Sequence, residues 1–395
     1  MSVTNKIAYL LACLAAIVIL PWAGSAIHYH GLFPAGFFAY PPLTALPKAG
    51  FNIYVFAVIA LACLVVCCVY LFPSWFGFKK VVETGLIPPP KVKLPFWFWL
   101  GLVSWGTVIV LLATKDSKPV HFIHWSDFPL FWGFTLMLDG WVYVRNGGRS
   151  LISKVPQEVV GIGVASISGW MIFEFLNFFV DDNWYYPKGN IIDREEFLLY
   201  ACVISSGLLP LALEWYCVFK TFPKFSVRFS NGWKIKVSRT FETVVMVMAM
   251  VGLFASGLFP DALFFSLWLS PPIILTIALH KIGVWTPVMA IRDGNWSPVL
   301  LSALTYFVTG FMLEGQNYLS AIHTVPVWTE DPAYWQYSLP YVNVLHIFEM
   351  PLLGFWGYLP FGIYCWLWWI AIATLLNIPA RFLSENPLKF ETSGS

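Results

Sequence analysis

Charge is what this 395-residue chain has least of. Asp, Glu, Lys and Arg together make up 11% of it, and the formal net charge is only +2. So few charges rule out an ordinary soluble domain, and so small an excess of positive charge excludes nucleic acid as a partner. No Gly-rich phosphate loop, serine nucleophile elbow or haem-attachment motif is present, which removes the common signatures of nucleotide hydrolysis, α/β-hydrolase chemistry and c-type electron transfer. Histidine is also scarce, with seven in all: His28 and His30 are two apart, His121 and His124 three apart, and His323 and His346 share one loop. None makes a His-x-x-x-His or Glu-x-x-His pattern in an apolar run, so no metal site is expected, and no cofactor is specified. The seven cysteines all fall in apolar segments without disulfide or metal-ligand spacing, and read as core residues.

What the chain has instead is apolar length. Hydrophobic residues make up 58% and mean hydropathy is +0.71. Stretches such as Val55 to Val69 and Val244 to Ala255 are continuously apolar, not alternating, so the backbone polar groups must be satisfied within helices and not in a closed barrel. The expected fold is all-α: a polytopic transmembrane bundle of ten spans at about 7–23, 51–76, 96–114, 128–144, 159–180, 197–219, 241–259, 262–280, 297–313 and 355–376. One integral membrane domain, 1–395, then divides into a four-span region 1–158, a first repeat 159–219, a basic segment 220–240, a two-span connector 241–296, a second repeat 297–380 and a tail 381–395.

The loops fall into two alternating classes. One class leaves only Lys48, Lys115, Lys118, Lys188 and Arg194, so 18 of the 23 basic residues lie in the other, among them Lys79, Arg145, Lys220, Arg228, Arg239, Arg381 and Lys389. Cytoplasmic loops carry such an excess, which predicts both termini in the cytoplasm and, for a bacterial chain, residence in the inner membrane. Within the basic segment, Asn231-Gly232 stands between Lys224–Ser230 and Trp233–Ser238, each of alternating character. That pattern predicts a small cytoplasmic β-hairpin with Phe225, Val227, Phe229, Trp233, Ile235 and Val237 on one face. The loops of the other class are acidic and aromatic, and those from His28 to Ala49 and from Ala321 to His346 are long enough to cover that side.

Two segments repeat. Glu174 and Asn177 lie on one face of an apolar helix, as do Glu314 and Asn317, and each pair is 140 residues from its counterpart. Each helix is followed by a Trp-x-Tyr, Trp184-Tyr185-Tyr186 in the first copy and Trp335-Gln336-Tyr337 in the second. The copies continue in step, with Glu195, Glu196, Pro210 and Glu214 in the first and Glu349, Pro360 and Tyr364 in the second. Both helices run in the same direction through the membrane, so the copies are expected to be related by an axis along its normal. A carboxyl inside a bilayer must be paired, protonated or water-lined. Two readings follow: interhelical packing through neutral acids, or a functional site. The functional reading names Glu174, Glu314, Glu195, Glu196, Glu214 and Glu349 as catalytic acids, and Asn177, Asn317, Trp184, Tyr186, Trp335, Tyr337, Trp170 and Asp139 as substrate-binding residues. Aromatic walls stabilise a developing carbocation and exclude water, which suits proton transfer to an alkene in an isoprenoid-like or carotenoid-like chain.

Over most of its length the chain resembles a set of bacterial polytopic membrane proteins, through Gly169-Trp-Met-Ile-Phe-Glu174-Phe-Leu-Asn177, Asn183-Trp-Tyr-Tyr186 and Phe348-Glu-Met-Pro-Leu-Leu-Gly-Phe-Trp-Gly-Tyr-Leu-Pro-Phe361. These motifs imply membership of the set and no particular reaction. Trp184-Tyr-Tyr186 followed by Ile191-Ile-Asp-Arg-Glu195-Glu196-Phe197 is similar, more weakly, to the small membrane lycopene cyclases, and that likeness implies Glu195 and Glu196 as protonating acids. The expected partners are therefore membrane lipid and a hydrophobic small molecule, with a membrane-protein partner or a second copy of the chain also open. A proton-coupled transporter or channel using the repeated glutamates, and a non-catalytic subunit of a membrane complex, remain alternatives to an enzyme.

Overall fold

The computed structural model describes residues 2–34, 36–81, 89–115 and 120–384. Lys118, Lys389 and the tail from 385 onward, all assigned to loops from the sequence, lie outside the described residues. The long helices are α1 (Val3–His28), α2 (Ile53–Leu71), α3 (Phe96–Thr114), α4 (Asp127–Arg145), α5 (Pro156–Asn177), α6 (Arg194–Ser205), α7 (Leu208–Lys220), α8 (Arg239–Leu258), α9 (Ser266–Lys281), α10 (Ser297–Leu319) and α11 (Tyr358–Leu376). Each of the ten expected segments is helical. Eight helical stretches among the described residues are long and apolar enough to cross a membrane. The two outside that set are α4, which carries Asp127, Asp139 and Arg145, and α9, which is 16 residues long. The protein is an all-α integral membrane bundle.

The segment expected as one span over 197–219 is two helices, α6 and α7, broken at Ser206-Gly207. Pro210 has no N–H to give to the preceding turn. Ser166 of α5 repairs the gap: its hydroxyl donates to the Ser205 carbonyl and accepts the Leu209 N–H at 3.0 Å. A break of this kind is tolerated at membrane depth only where a neighbouring helix supplies the missing partners.

Helix packing relies on small residues where backbones meet. A Cβ on Gly24 would lie 1.9 Å from the Phe254 carbonyl oxygen, and one on Gly257 would lie 2.0 Å from that of Pro21, so α1 and α8 touch backbone to backbone only because both are glycine. The centre of the bundle is α7, α10 and α11, where Trp366 and Trp369 are fully buried. Helix α2 is the opposite case, with Cys63 its one buried residue.

The expected cytoplasmic hairpin does not form. Pro223–Ser226 is a helical turn, and beyond a local turn in which the Ser230 N–H donates to the Val227 carbonyl, the backbone of residues 227–238 pairs with other loops. The Lys79 N–H donates to the Asn231 carbonyl, Gly232 N–H to Gly294, Ile235 N–H to Ile291 and Trp296 N–H to Phe229. Phe229 is fully buried, edge-on to Tyr70 and Phe78. Burying this ring in an aromatic corner while its backbone bonds to neighbouring loops overrides the local Asn-Gly turn preference. Trp233 and Ile235, expected on the apolar face, are exposed.

At the other end of the bundle the two long loops are tied together. The Tyr186 N–H donates to the Pro42 carbonyl, Lys48 Nζ to the Val180 carbonyl, the Ala49 N–H to Asp261, the Tyr341 N–H to the Ala49 carbonyl and the Asn52 N–H to the Tyr341 carbonyl.

Candidate functional site

The last turns of α5 and α10 each build the same device. Glu174 Oε1 accepts the Trp184 indole N–H at 3.1 Å and the Tyr186 hydroxyl at 2.6 Å, while Tyr40 approaches Oε2 at 3.4 Å. Glu314 Oε1 accepts the Trp335 indole N–H at 3.4 Å and the hydroxyls of Tyr337 at 2.6 Å and Tyr358 at 2.5 Å. Trp and Tyr at i and i+2 of an extended segment point to one side, which is why a single carboxyl can hold both. The asparagine one helical turn on pins the backbone of the same segment. Asn177 Nδ2 donates to the Trp184 carbonyl at 2.8 Å and Asn317 Nδ2 to the Trp335 carbonyl at 2.8 Å. The copies differ by one residue at the amide oxygen, which accepts from the Asn183 N–H in the first and from the Trp335 N–H in the second, both at 2.9 Å.

The two segments then meet. Strands β1 (Trp184–Tyr185) and β2 (Gln336–Tyr337) pair antiparallel, with Trp184 opposite Tyr337 and Tyr185 opposite Gln336. Corresponding residues therefore face each other's counterparts, the arrangement a local two-fold requires. The Tyr185 hydroxyl closes the pair by donating to Gln336 Oε1 at 2.9 Å. A second short pair, β3 (His346–Ile347) and β4 (Met350–Pro351), lies in the loop that follows.

Beneath these strands is a cavity of about 1110 Å³. Its walls include Trp170, Trp184 and Tyr186 from the first copy and Trp335, Tyr337, Trp356 and Tyr358 from the second. Trp268 of α9 also lines it, and α2 presents Val55, Val58, Ile59 and Ala62 along one face. Trp170 packs on Trp184 with ring centroids 5.9 Å apart.

Glu174 and Glu314 do not line the cavity; they stand behind its aromatic wall and accept hydrogen bonds from it. The sequence reading names both as catalytic acids, and the structure sets tyrosine and tryptophan rings between them and this cavity. Burial, and after it the neighbouring Glu174 carboxyl, push the Tyr186 hydroxyl well above its ordinary pKa, and Tyr337 is held likewise by burial and Glu314. Both hydroxyls remain protonated donors.

Four other expected acids and one expected ligand-binding residue lie elsewhere. Asp139 is fully buried near the opposite end of α4, occupied by the Trp97 indole N–H at 2.9 Å, the Ser150 hydroxyl at 2.8 Å and the Ile152 N–H at 2.9 Å. Glu214 of α7 is buried beside it. Asp139 thus fastens α3 and the turn after α4, and neither residue reaches the cavity. Glu195 and Glu196 occupy the first turn of α6, where negative charge complements the helix dipole; Glu195 is exposed, Glu196 half-buried, and Asp193 caps the turn by accepting the Glu196 N–H at 2.8 Å. Glu349 accepts the Tyr334 hydroxyl at 2.5 Å and lies 3.1 Å from His323 Nδ1, outside the cavity lining.

Among the polar residues of the lining, Asp127, Asn183, Asp261 and Tyr306 are four that the sequence did not mark as site residues. Asp127 accepts the Tyr200 hydroxyl at 2.9 Å and is close to Asp331, which burial and then the Asp127 carboxyl push well above the ordinary carboxyl range. Asn183 stood within a motif already singled out, but only the folded chain shows that it is buried in the cavity lining. Among the described residues no group of three His, Cys, Asp or Glu is placed to hold a metal ion. No protein-family model, curated protein or solved structure matches the chain.

Proposed function

We propose that this membrane protein binds a long, hydrophobic, isoprenoid-like molecule in the aromatic cavity. One observation carries the reading: both Glu–Asn devices spend their hydrogen bonds on holding tryptophan and tyrosine rings around a single space of about 1110 Å³. Small-molecule sites occupy roughly 300–1,000 Å³, so this space suits a large, flexible, apolar ligand. Aromatic rings fixed by buried acceptors form a stiff, dry wall, and a preformed apolar site spends little free energy on ordering itself when the ligand enters. The reading favours binding over acid catalysis by Glu174 and Glu314, because tyrosine and tryptophan rings separate both carboxyls from the ligand space. In this reading the chain has ten spans with both termini in the cytoplasm of a bacterial inner membrane. The two Glu–Asn halves are then parallel repeats about an axis passing near Tyr185 and Gln336.

The test is a lipid extract of the purified protein, examined by mass spectrometry and absorption, beside Trp184→Ala and Trp335→Ala variants. Enrichment of an isoprenoid-type lipid over the bulk membrane, reduced in both variants, is the expected result. No enrichment, and no uptake of an added polyprene hydrocarbon, would overturn the proposal.

A further inference from the structure

In a cavity whose lining is mostly aromatic and aliphatic, the side chain of Asn183 is an anomaly. It is 1% exposed, lines the cavity, and neither its Nδ2 nor its Oδ1 has a hydrogen-bond partner among the described residues. Its backbone leaves it no freedom to turn away: the Asn183 N–H is bonded to Asn177 Oδ1 at 2.9 Å and its carbonyl accepts the Ser338 N–H at 2.8 Å. Buried amides are normally paired, and one held unpaired against an apolar space is a group awaiting a ligand atom. Tyr306 repeats the pattern: it lines the same cavity, and its buried hydroxyl has no partner among the described residues.

The charge of the lining narrows the chemistry. Asp127 and Asp261 contribute to it, and no Lys or Arg does among the described residues. A phosphate or carboxylate would enter a site with acidic neighbours and no counter-charge, at a large desolvation cost. An ammonium would satisfy Oδ1 of Asn183 but has nothing to accept from Nδ2, whereas a hydroxyl both donates and accepts.

Resting on the binding reading above, we propose that the ligand is a neutral, hydroxyl-bearing isoprenoid, with its hydroxyl held by the Asn183 side-chain amide. Tyr306 supplies a second neutral polar contact. The class is thus a free long-chain isoprenoid alcohol, set apart from its phosphate esters and from amines of the same chain.

The experiment uses the full-length protein in lipid nanodiscs and four probes of one chain length: a polyprene hydrocarbon, the polyprenol, the polyprenyl monophosphate and the polyprenyl amine. The polyprenol should bind tightest. Asn183→Ala should weaken it by about ten-fold, the factor carried by one lost hydrogen bond of ordinary strength, and leave hydrocarbon binding unchanged. Unchanged hydrocarbon binding also shows that the variant folds, and the near-isosteric Asn183→Asp should lose the polyprenol to a similar degree. Equal binding of hydrocarbon and polyprenol, with no effect of Asn183→Ala, would overturn this inference and leave the binding reading intact. Tightest binding of the phosphate or the amine would overturn it too, and binding of none of the four would remove both.

Discussion

Trp184 and Tyr337 face each other across the β1–β2 pair, yet each is fastened to a different buried glutamate, Trp184 to Glu174 and Tyr337 to Glu314. The two carboxyls are therefore linked through four interlocked groups and a backbone ladder. Displacing either one disturbs the wall built by the other, so the two halves should respond to mutation as one unit.

Removing a carboxyl should cost stability in proportion to the donors it strands. Glu314→Leu takes the carboxyl acceptor from the Tyr337 and Tyr358 hydroxyls, while the Trp335 indole keeps the Tyr337 hydroxyl at 2.9 Å, and a loss of about 2–4 kcal/mol is expected. Glu174→Leu, which takes the acceptor from the Trp184 indole and the Tyr186 hydroxyl, should cost a similar amount, about 2–4 kcal/mol. Both Gln variants keep an acceptor oxygen and should stay within about 1.5 kcal/mol of the parent. Unfolding in detergent measures all four; Leu variants as stable as the Gln variants would refute the role given to the carboxyls.

The asparagines fix backbone, and their loss should loosen the strands. Asn177→Ala and Asn317→Ala each remove two hydrogen bonds at 2.8–2.9 Å and should destabilise by about 1–3 kcal/mol. Hydrogen exchange should rise at residues 183–186 for the first and 335–337 for the second. Parental exchange in these segments would show that the glutamates hold them alone.

The loop after α5 should give stability a minimum near neutral pH. Burial raises Asp182 to about 7, so the folded chain binds this proton more tightly than the unfolded one, and stability declines as pH rises from about 4 to about 7. Burial lowers Lys48 to about 8, so its cost is present below pH 8 and is relieved as pH climbs towards 10.5. Besides Lys48, Asp182 feels Asp181 and Glu174, and Asp181 is itself raised to about 6 by burial. Asp182→Asn should shrink the difference in melting temperature between pH 5 and pH 7.5. Superimposable profiles for variant and parent would exclude Asp182 as the cause.

A single methyl should unseat Tyr358. A Cβ on Gly310 would lie 2.3 Å from two ring carbons of Tyr358, which must then shift and release Glu314. Gly310→Ala is expected to destabilise by about 1–3 kcal/mol. Gly106→Ala on α3 is the control, since its added carbon meets nothing within 4 Å and should be neutral or stabilising by up to about 1 kcal/mol. Equal unfolding temperatures for the two variants would contradict the packing.

The helices were legible because continuous apolar runs leave the backbone no other way to satisfy itself in a membrane. The Glu–Asn pairs were legible because polar residues at i and i+3 stand out in such runs. The side of the wall on which each group stands was not. Glu174 and Asn183 are nine residues apart and are joined through the Asn177 bond, yet one stands behind the aromatic rings and the other is part of the cavity lining. Periodicity fixes the face of a helix but not what the following loop lays across it. Phe229 makes the same point at the other end: its alternating neighbours described a strand, and the aromatic corner of Tyr70 and Phe78 made it a buried plug.

Helix α2 carries one face of the cavity and buries little else of itself, with a mean hydropathy of 2.8 over its apolar length. On the proposed binding reading, a chamber walled by such a helix would take its ligand from the bilayer and not from water. The quantity that governs occupancy is then the ligand's mole fraction among lipids, and molecules almost insoluble in water are delivered by two-dimensional diffusion. A modest intrinsic affinity is enough under those terms. Detergent, which dilutes that fraction and competes for the same walls, will empty the chamber faster than any wash with buffer.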